Sequence, residues 1–464
     1  IHRTGGGNVK EATQRDATTQ RLISFSERAR YDTLPAETVH ECKRRLLDTF
    51  ACALGAFDEP VSRMSRAIAA RVRGDDEATV WGGATRTTPD AAAFANGVMT
   101  RLLDISDTYL GKSRGHPSDM NSGLIAVAET LRADGKSLIN AVVLAYDVYC
   151  SFCDSVDLNS RGWDQPVYSI MGCVLGIAKL MDLTPGQTGH ALSLALAPNM
   201  ALAQSRRGDL STWKGCAGPN ASRNAVFAAM LAKEGFTGPT AVFEGDGGLW
   251  QATGGQFEWV LPEGHHMIGA THIKGLPVCY HGQTSVWAAL ELRERVDPER
   301  IEAIEIDTYA AGVMMMGADA SRWAPTTHET ADHSLPYCVS VALLDGEITG
   351  ESFADTRLRD PQIAALMQKV KVREDKALSA RYPEGAPGRV TIRTASGDTH
   401  VKELTYPRGH AKSPMSDGDV ERKFRSMAGS RLSQAQCDAV VKTVWELERS
   451  PDIARDLVKP LTCV

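Results

Sequence analysis

Residues 300–310 read Arg-Ile-Glu-Ala-Ile-Glu-Ile-Asp-Thr-Tyr-Ala. Apolar and charged side chains nearly alternate here, the period of a strand with one buried face. Upstream, from about residue 20 to 270, the period is helical. In "PAETVHECKRRLLDTFACALGAF" the residues Val39, Cys42, Leu46, Leu47, Phe50 and Leu54 form one stripe, with Pro35 near its start and Gly55 near its end. "LINAVVLAYDVYCSF" and "YSIMGCVLGIAKLMDL" are apolar almost all round, as helices inside a bundle are. Downstream, "GRVTIRTASGDTHVKELTY" reads as two strands joined at Ser396-Gly397-Asp398, and "HSLPYCVSVALLDG" as a helix. Helical patterning returns after Pro414.

The strand at 300–310 therefore sits inside a mainly α chain. The reading is a mainly α fold, a large all-helical domain with an inserted smaller α+β domain. Residues 20–270 and 411–464 make the helical part and 271–410 the inserted one, which the family resemblance drawn below implies to be a lid. Residues 1–19, "IHRTGGGNVKEATQRDATT", carry no apolar run and are expected to be a disordered arm or a cloning remnant.

The chain has 464 residues and a formal net charge of −6. That balance gives no reason to expect nucleic acid or an anionic membrane as a partner. No apolar run is long enough to span a bilayer, and the ten scattered cysteines fit reduced, packed thiols, so a cytoplasmic location is expected. One C-x-x-C pair, Cys150 and Cys153, has no second pair to complete a metal site. No H-E-x-x-H run and no phosphate-binding glycine loop occurs, so neither metal nor cofactor is expected.

Polar groups concentrate elsewhere. "LDISDTYLGKSRGHPSD" (103–119) puts Asp104, Asp107, Tyr109, His116 and Ser118 in one loop between apolar helical runs. Arg206, Arg207, Lys214, Asn220 and Arg223 gather around the start of a small-residue helix, where free N–H groups favour anions. Lys274 and His281 lie where the two units meet, and His333 and Tyr337 open the later helix.

"LDISDTYL…GHPSD", "WKGCAGPNASRNAVFAAMLAKEGFTGP", "IKGLPVCYHGQT" and "DHSLPYCVSVALLDG" resemble, in order, the successive motifs of the MmgE/PrpD family. The resemblance runs from about residue 20 to 440. It implies a helical domain with an α+β lid, usually as a homodimer, a site between the domains, and chemistry next to a carboxylate without an obligatory metal. It implies Asp104, His116, Lys214, Lys274, His281, His333 and Tyr337 as catalytic candidates. Asp107, Tyr109, Ser118, Arg206, Arg207, Asn220 and Arg223 are candidates for holding a small anionic carboxylate.

The family includes 2-methylcitrate dehydratases, cis-aconitate decarboxylases and iminodisuccinate epimerases. His281 stands four residues after Pro277, a spacing that resembles the dehydratase branch. Asp164 and Gln165 stand where decarboxylases carry a further His. The first expectation is thus a cofactor-independent hydro-lyase of a small di- or tricarboxylic acid. The alternative is an epimerase or isomerase of a substituted succinate, ahead of a decarboxylase or a non-catalytic scaffold. In this reading Asp104 and His116 form an acid–base pair, while Lys214 and Lys274 stabilise charge on the substrate.

Overall fold

A computed structural model of the chain describes residues 15–208 and 210–463. Most of the presumed N-terminal arm thus lies outside the described residues. Its last part does not behave as an arm: Asp16 caps the helix Ala17–Arg28 and also accepts from the Phe243 amide at 2.8 Å.

The helix Ala36–Gly55 runs through the first core, with Leu46, Leu47 and Phe50 fully buried. Around it pack Pro89–Leu102, Asn121–Thr130, Gly135–Ser155, Pro166–Leu180 and Ala217–Lys233. Small residues set the spacing of these helices. A Cβ on Gly172 would lie 2.5 Å from the Ala145 carbonyl oxygen, so only glycine lets those two helices approach this closely. The C-terminal helices Asp417–Ala428 and Gln434–Trp445, each opened by a serine capping box, place Val420, Phe424, Val440 and Val444 in the same core.

A second core lies under a four-stranded mixed sheet. Val370–Glu374 pairs parallel with Ile301–Thr308, which pairs antiparallel with Gly388–Thr394, which pairs antiparallel with Thr399–Leu404. The alternation read at 300–310 is explicit: Ile304 and Ile306 are buried, while Glu305 between them pairs with Arg373 and Arg393 on the neighbouring strands. The hairpin turns through Gly397 in the left-handed region at φ 85°. The helices Gln283–Arg293 and Leu335–Asp345 contribute Val286, Leu292, Val339 and Leu343 to this core. The chain crosses between the two cores twice, at one place: the Ile273 amide donates to the Gly409 carbonyl, and the Ala411 amide to His272 Nδ1.

Candidate active site

The helix Pro89–Leu102 ends just before Asp104, whose backbone is turned into the left-handed region at φ 50°. This is an unfavourable conformation for a residue with a Cβ, and its consequence is visible in the side chain. The Asp104 carboxylate folds back on Arg101, which donates from Nη1 at 2.8 Å. Lys274 Nζ donates to the same oxygen at 2.5 Å and to the Asp104 carbonyl. Lys214 Nζ donates to the other oxygen at 3.1 Å. Burial alone would push this carboxyl up, but Arg101, Lys214, Lys274 and His333 together hold it well below the ordinary carboxylate range.

Lys214 bridges outward from Asp104. Its ammonium also reaches Asp332 Oδ2 at 3.2 Å and His333 Nδ1 at 3.3 Å. Asp104, Asp332 and His333 bring potential ligand atoms within 4.8 Å of one another. The Lys214 ammonium donates to Asp104 and Asp332 and lies beside His333, so the protein supplies its own cation there. His333 itself donates to Asp332 from Nδ1. Burial opposes its charged form, and so does Lys214, but Cys279 and Asp332 outweigh them and its pKa is raised.

His116 is in the opposite state. Burial, then Arg101 and Lys274, push its pKa well below the ordinary imidazole value, so the ring is neutral. Its Nδ1–H donates to the Asp107 carbonyl at 2.7 Å, which leaves Nε2 to accept from Arg101 Nη2 at 2.8 Å. Gly115 is required beside it: a Cβ there would lie 2.0 Å from the Tyr149 hydroxyl and 2.7 Å from Gln165 Oε1. His281 is also neutral, its pKa lowered by burial and by Arg114. Its Nδ1 is hydrogen-bonded to the Tyr309 hydroxyl at 2.6 Å, and its Nε2 is buried with no partner among the described residues.

These groups meet at a cavity of about 550 Å³ between the two cores. Asp104, His116, Arg206, Arg207, His281 and His333 line it. Lys214 and Lys274, expected at the substrate, instead lie behind this wall with their ammoniums engaged by Asp104. Tyr337 is in the second core, its hydroxyl donating to the Ser352 carbonyl. Asp107 accepts from the Ser118 amide and the Tyr146 hydroxyl, and Tyr109 donates to Asp154; Asp107, Ser118 and Tyr109 brace the loop without lining the cavity. Asn220 lines a separate surface groove, and Arg223 is exposed near Asp90.

The structure adds residues not singled out above. Arg101, Arg114 and Arg322 line the cavity. Arg322 is 3% exposed, yet among the described residues its Nε and Nη1 have no hydrogen-bond partner, and Nη2 of Arg206 has none either. Unpaired guanidinium nitrogens in a buried wall are costly unless an anion meets them. Arg101 and Arg114 lie in or beside the polar 103–119 loop and were open to notice; Arg322, in "DASRWAP", carries no sequence signal.

Known proteins give the same frame. The MmgE/PrpD N-terminal domain matches residues 20–262, and the MmgE/PrpD C-terminal domain matches residues 276–447. A 2-methylcitrate dehydratase of Escherichia coli (strain K12) is 29% identical over 403 residues, 81% of this chain and 82% of its own length. A 2-methylcitrate dehydratase of Cupriavidus necator is 27% identical, covering 88% and 89%. A cis-aconitate decarboxylase of Homo sapiens is 25% identical, covering 90% and 89%.

Proposed function

The chain belongs to the MmgE/PrpD family, and on that premise we propose that it is a hydro-lyase that eliminates water from a small di- or tricarboxylic acid, as 2-methylcitrate dehydratases are named for doing. The observation that carries this reading is the contrast between two imidazoles on one cavity. His281 has its pKa pushed well below the ordinary value and an Nε2 with no partner among the described residues, while His333 has its pKa raised against Asp332. Environments that push two titratable groups apart assign the base and the acid.

In this mechanism the unpaired guanidinium nitrogens of Arg322 and Arg206 receive the substrate's carboxylates. His281 Nε2 removes the proton on the carbon next to one carboxylate. The charge that develops on that carboxylate is stabilised by the arginines in a site shielded from water. The His333 imidazolium protonates the hydroxyl as it leaves. Asp104 is not the base in this scheme, because its oxygens are engaged by Arg101, Lys214 and Lys274. It serves as the counter-ion that keeps three buried cations in place. His116, bonded to Arg101 through Nε2, orients that guanidinium. The second unit, which supplies both His281 and His333, acts as the lid.

Incubation with 2-methylcitrate in heavy water tests the reading. Dehydration produces an alkene with its ultraviolet absorbance. Solvent deuterium entering the carbon next to the carboxylate with no alkene would instead mean an epimerase, and release of carbon dioxide a decarboxylase.

We also infer a homodimer. Leu202 and Trp213, 62% and 47% exposed, flank the surface groove that holds Asn220, and Phe227 and Met230 continue an apolar face along the helix Ala217–Lys233. An apolar patch of this kind is what a second copy would cover.

A further inference from the structure

Cys279 is a nucleophile that the mechanism above does not use. It lines the cavity and is 6% exposed. Its amide donates to the Asp332 carbonyl at 2.9 Å, which sets it beside the Asp332–His333 pair, and His333 lines the same cavity. Asp332 thus backs an imidazole and a sulfur, His333 and Cys279, that both line the cavity. In the same wall His281 and Arg322, 2% and 3% exposed, present nitrogens with no partner among the described residues. The sulfur thus faces a space built to receive a polar, anionic ligand.

The other cysteines behave differently. Cys42, Cys52, Cys150, Cys153, Cys173, Cys216, Cys338 and Cys437 all have their thiols pushed up, burial being the largest cause for each. Burial acts on Cys279 in the same sense, but the neighbouring His333, with a smaller contribution from Lys274, outweighs it and holds the thiol below its ordinary value. The thiolate is the reactive form of cysteine, and an adjacent imidazolium is a recognised way to favour it.

We propose that Cys279 is a covalent modification site of the cleft, taking small α,β-unsaturated carboxylates, with His333 as the proton donor. The choice of electrophile rests on the lyase reading, since elimination of water next to a carboxylate yields that class of product. The sulfur, having given its proton to His333, adds to the carbon β to the carboxylate. One C–S bond forms and the π bond breaks. The electron pair moves to the α carbon, which takes the proton from His333 and leaves that ring neutral. Thiol and alkene become a thioether with no change in redox state. The enzyme would then be slowly alkylated when its own product accumulates.

The test uses the full-length protein incubated with maleate, an α,β-unsaturated dicarboxylate, followed by intact mass measurement and peptide mapping. The expected result is addition of one maleate per chain at Cys279, ahead of the half-buried Cys463, and loss of the adduct in Cys279→Ser. Addition first at Cys463, or no addition, overturns the proposal. Parallel assay of 2-methylcitrate dehydration separates the two readings. A preparation that dehydrates but stays free of maleate at Cys279 overturns this inference alone. One that is alkylated at Cys279 but dehydrates nothing supports this inference and overturns the lyase reading alone.

Discussion

Asp104 shows how one residue organises the site. A carboxylate in a left-handed turn collects Arg101, Lys214 and Lys274, and burial together with the charges gathered here sets the imidazoles nearby apart. The pKa values of His116 and His281 are pushed well down, while that of His333, paired with Asp332, is raised. This fixes a pH profile. Turnover requires His281 unprotonated, and its pKa lies well below the ordinary 6.5, so the acid limb of kcat/KM falls well below that pH. Turnover also requires His333 protonated, and its pKa is raised above 6.5, so activity falls on the alkaline side of that value. A rate that instead rises with pH through and beyond 6.5 would contradict the assignment. Arg322→Met should raise KM by roughly 10- to 100-fold with kcat little changed, since a charged hydrogen bond to a bound carboxylate contributes about 1.5–3 kcal/mol; steady-state kinetics decides this. Asp104, His116, His281 and His333 were legible because each stands in a polar stretch bordering an apolar run. Arg322 was not, because one arginine in a short turn looks like any solvated surface residue. The positions of Lys214 and Lys274 behind the wall were not legible either, because a lysine's partner is set by packing and not by its neighbours in the chain.

At the scale of elements, the C-terminal helix Asp417–Ala428 reaches the site through one side chain. Lys423 Nζ donates to Asp48 Oδ1 at 2.5 Å and to the carbonyls of Ile105 and Lys274, each at 2.8 Å. It ties together the helix Ala36–Gly55, the loop after Asp104 and the backbone of Lys274, and it is a positioning residue. Lys423→Met should lower stability by about 3–5 kcal/mol, because it strands the buried Asp48. Adding Asp48→Leu should restore much of that, since an apolar pair can replace a buried ion pair. Turnover should not return with stability, because the two carbonyls remain untied; a double variant that regains both would make Lys423 merely structural. Melting temperature and kcat on the same samples make the comparison. The helices and the hairpin at 388–404 were legible from period and turn chemistry. The strand Val370–Glu374 was not: only Val370 and Val372 alternate, among Lys371, Arg373 and Glu374, and its parallel pairing with Ile301–Thr308 is a long-range event.

At the scale of the whole molecule, the change of period at 300–310 and the return of helical pattern after Pro414 carried the two-core layout, because a sheet and a bundle need different repeats. Surface association is less legible, since an exposed Trp213 reads in sequence like a core tryptophan. The homodimer inferred above predicts a doubled mass by light scattering at micromolar concentration, reduced by charged substitution at Trp213 and Phe227; a monomer under those conditions would contradict it. The central claim is that the cavity between the cores joins a neutral base to a protonated acid, both carried by the second unit, over a cationic floor of arginines from both. It is tested most directly by dehydration of 2-methylcitrate in His281→Gln, with the melting temperature of the same sample as the check on folding. The account predicts a folded protein whose kcat falls by about 10²- to 10⁴-fold while KM stays close to that of the parent. A folded variant that dehydrates 2-methylcitrate at the parent rate would contradict it.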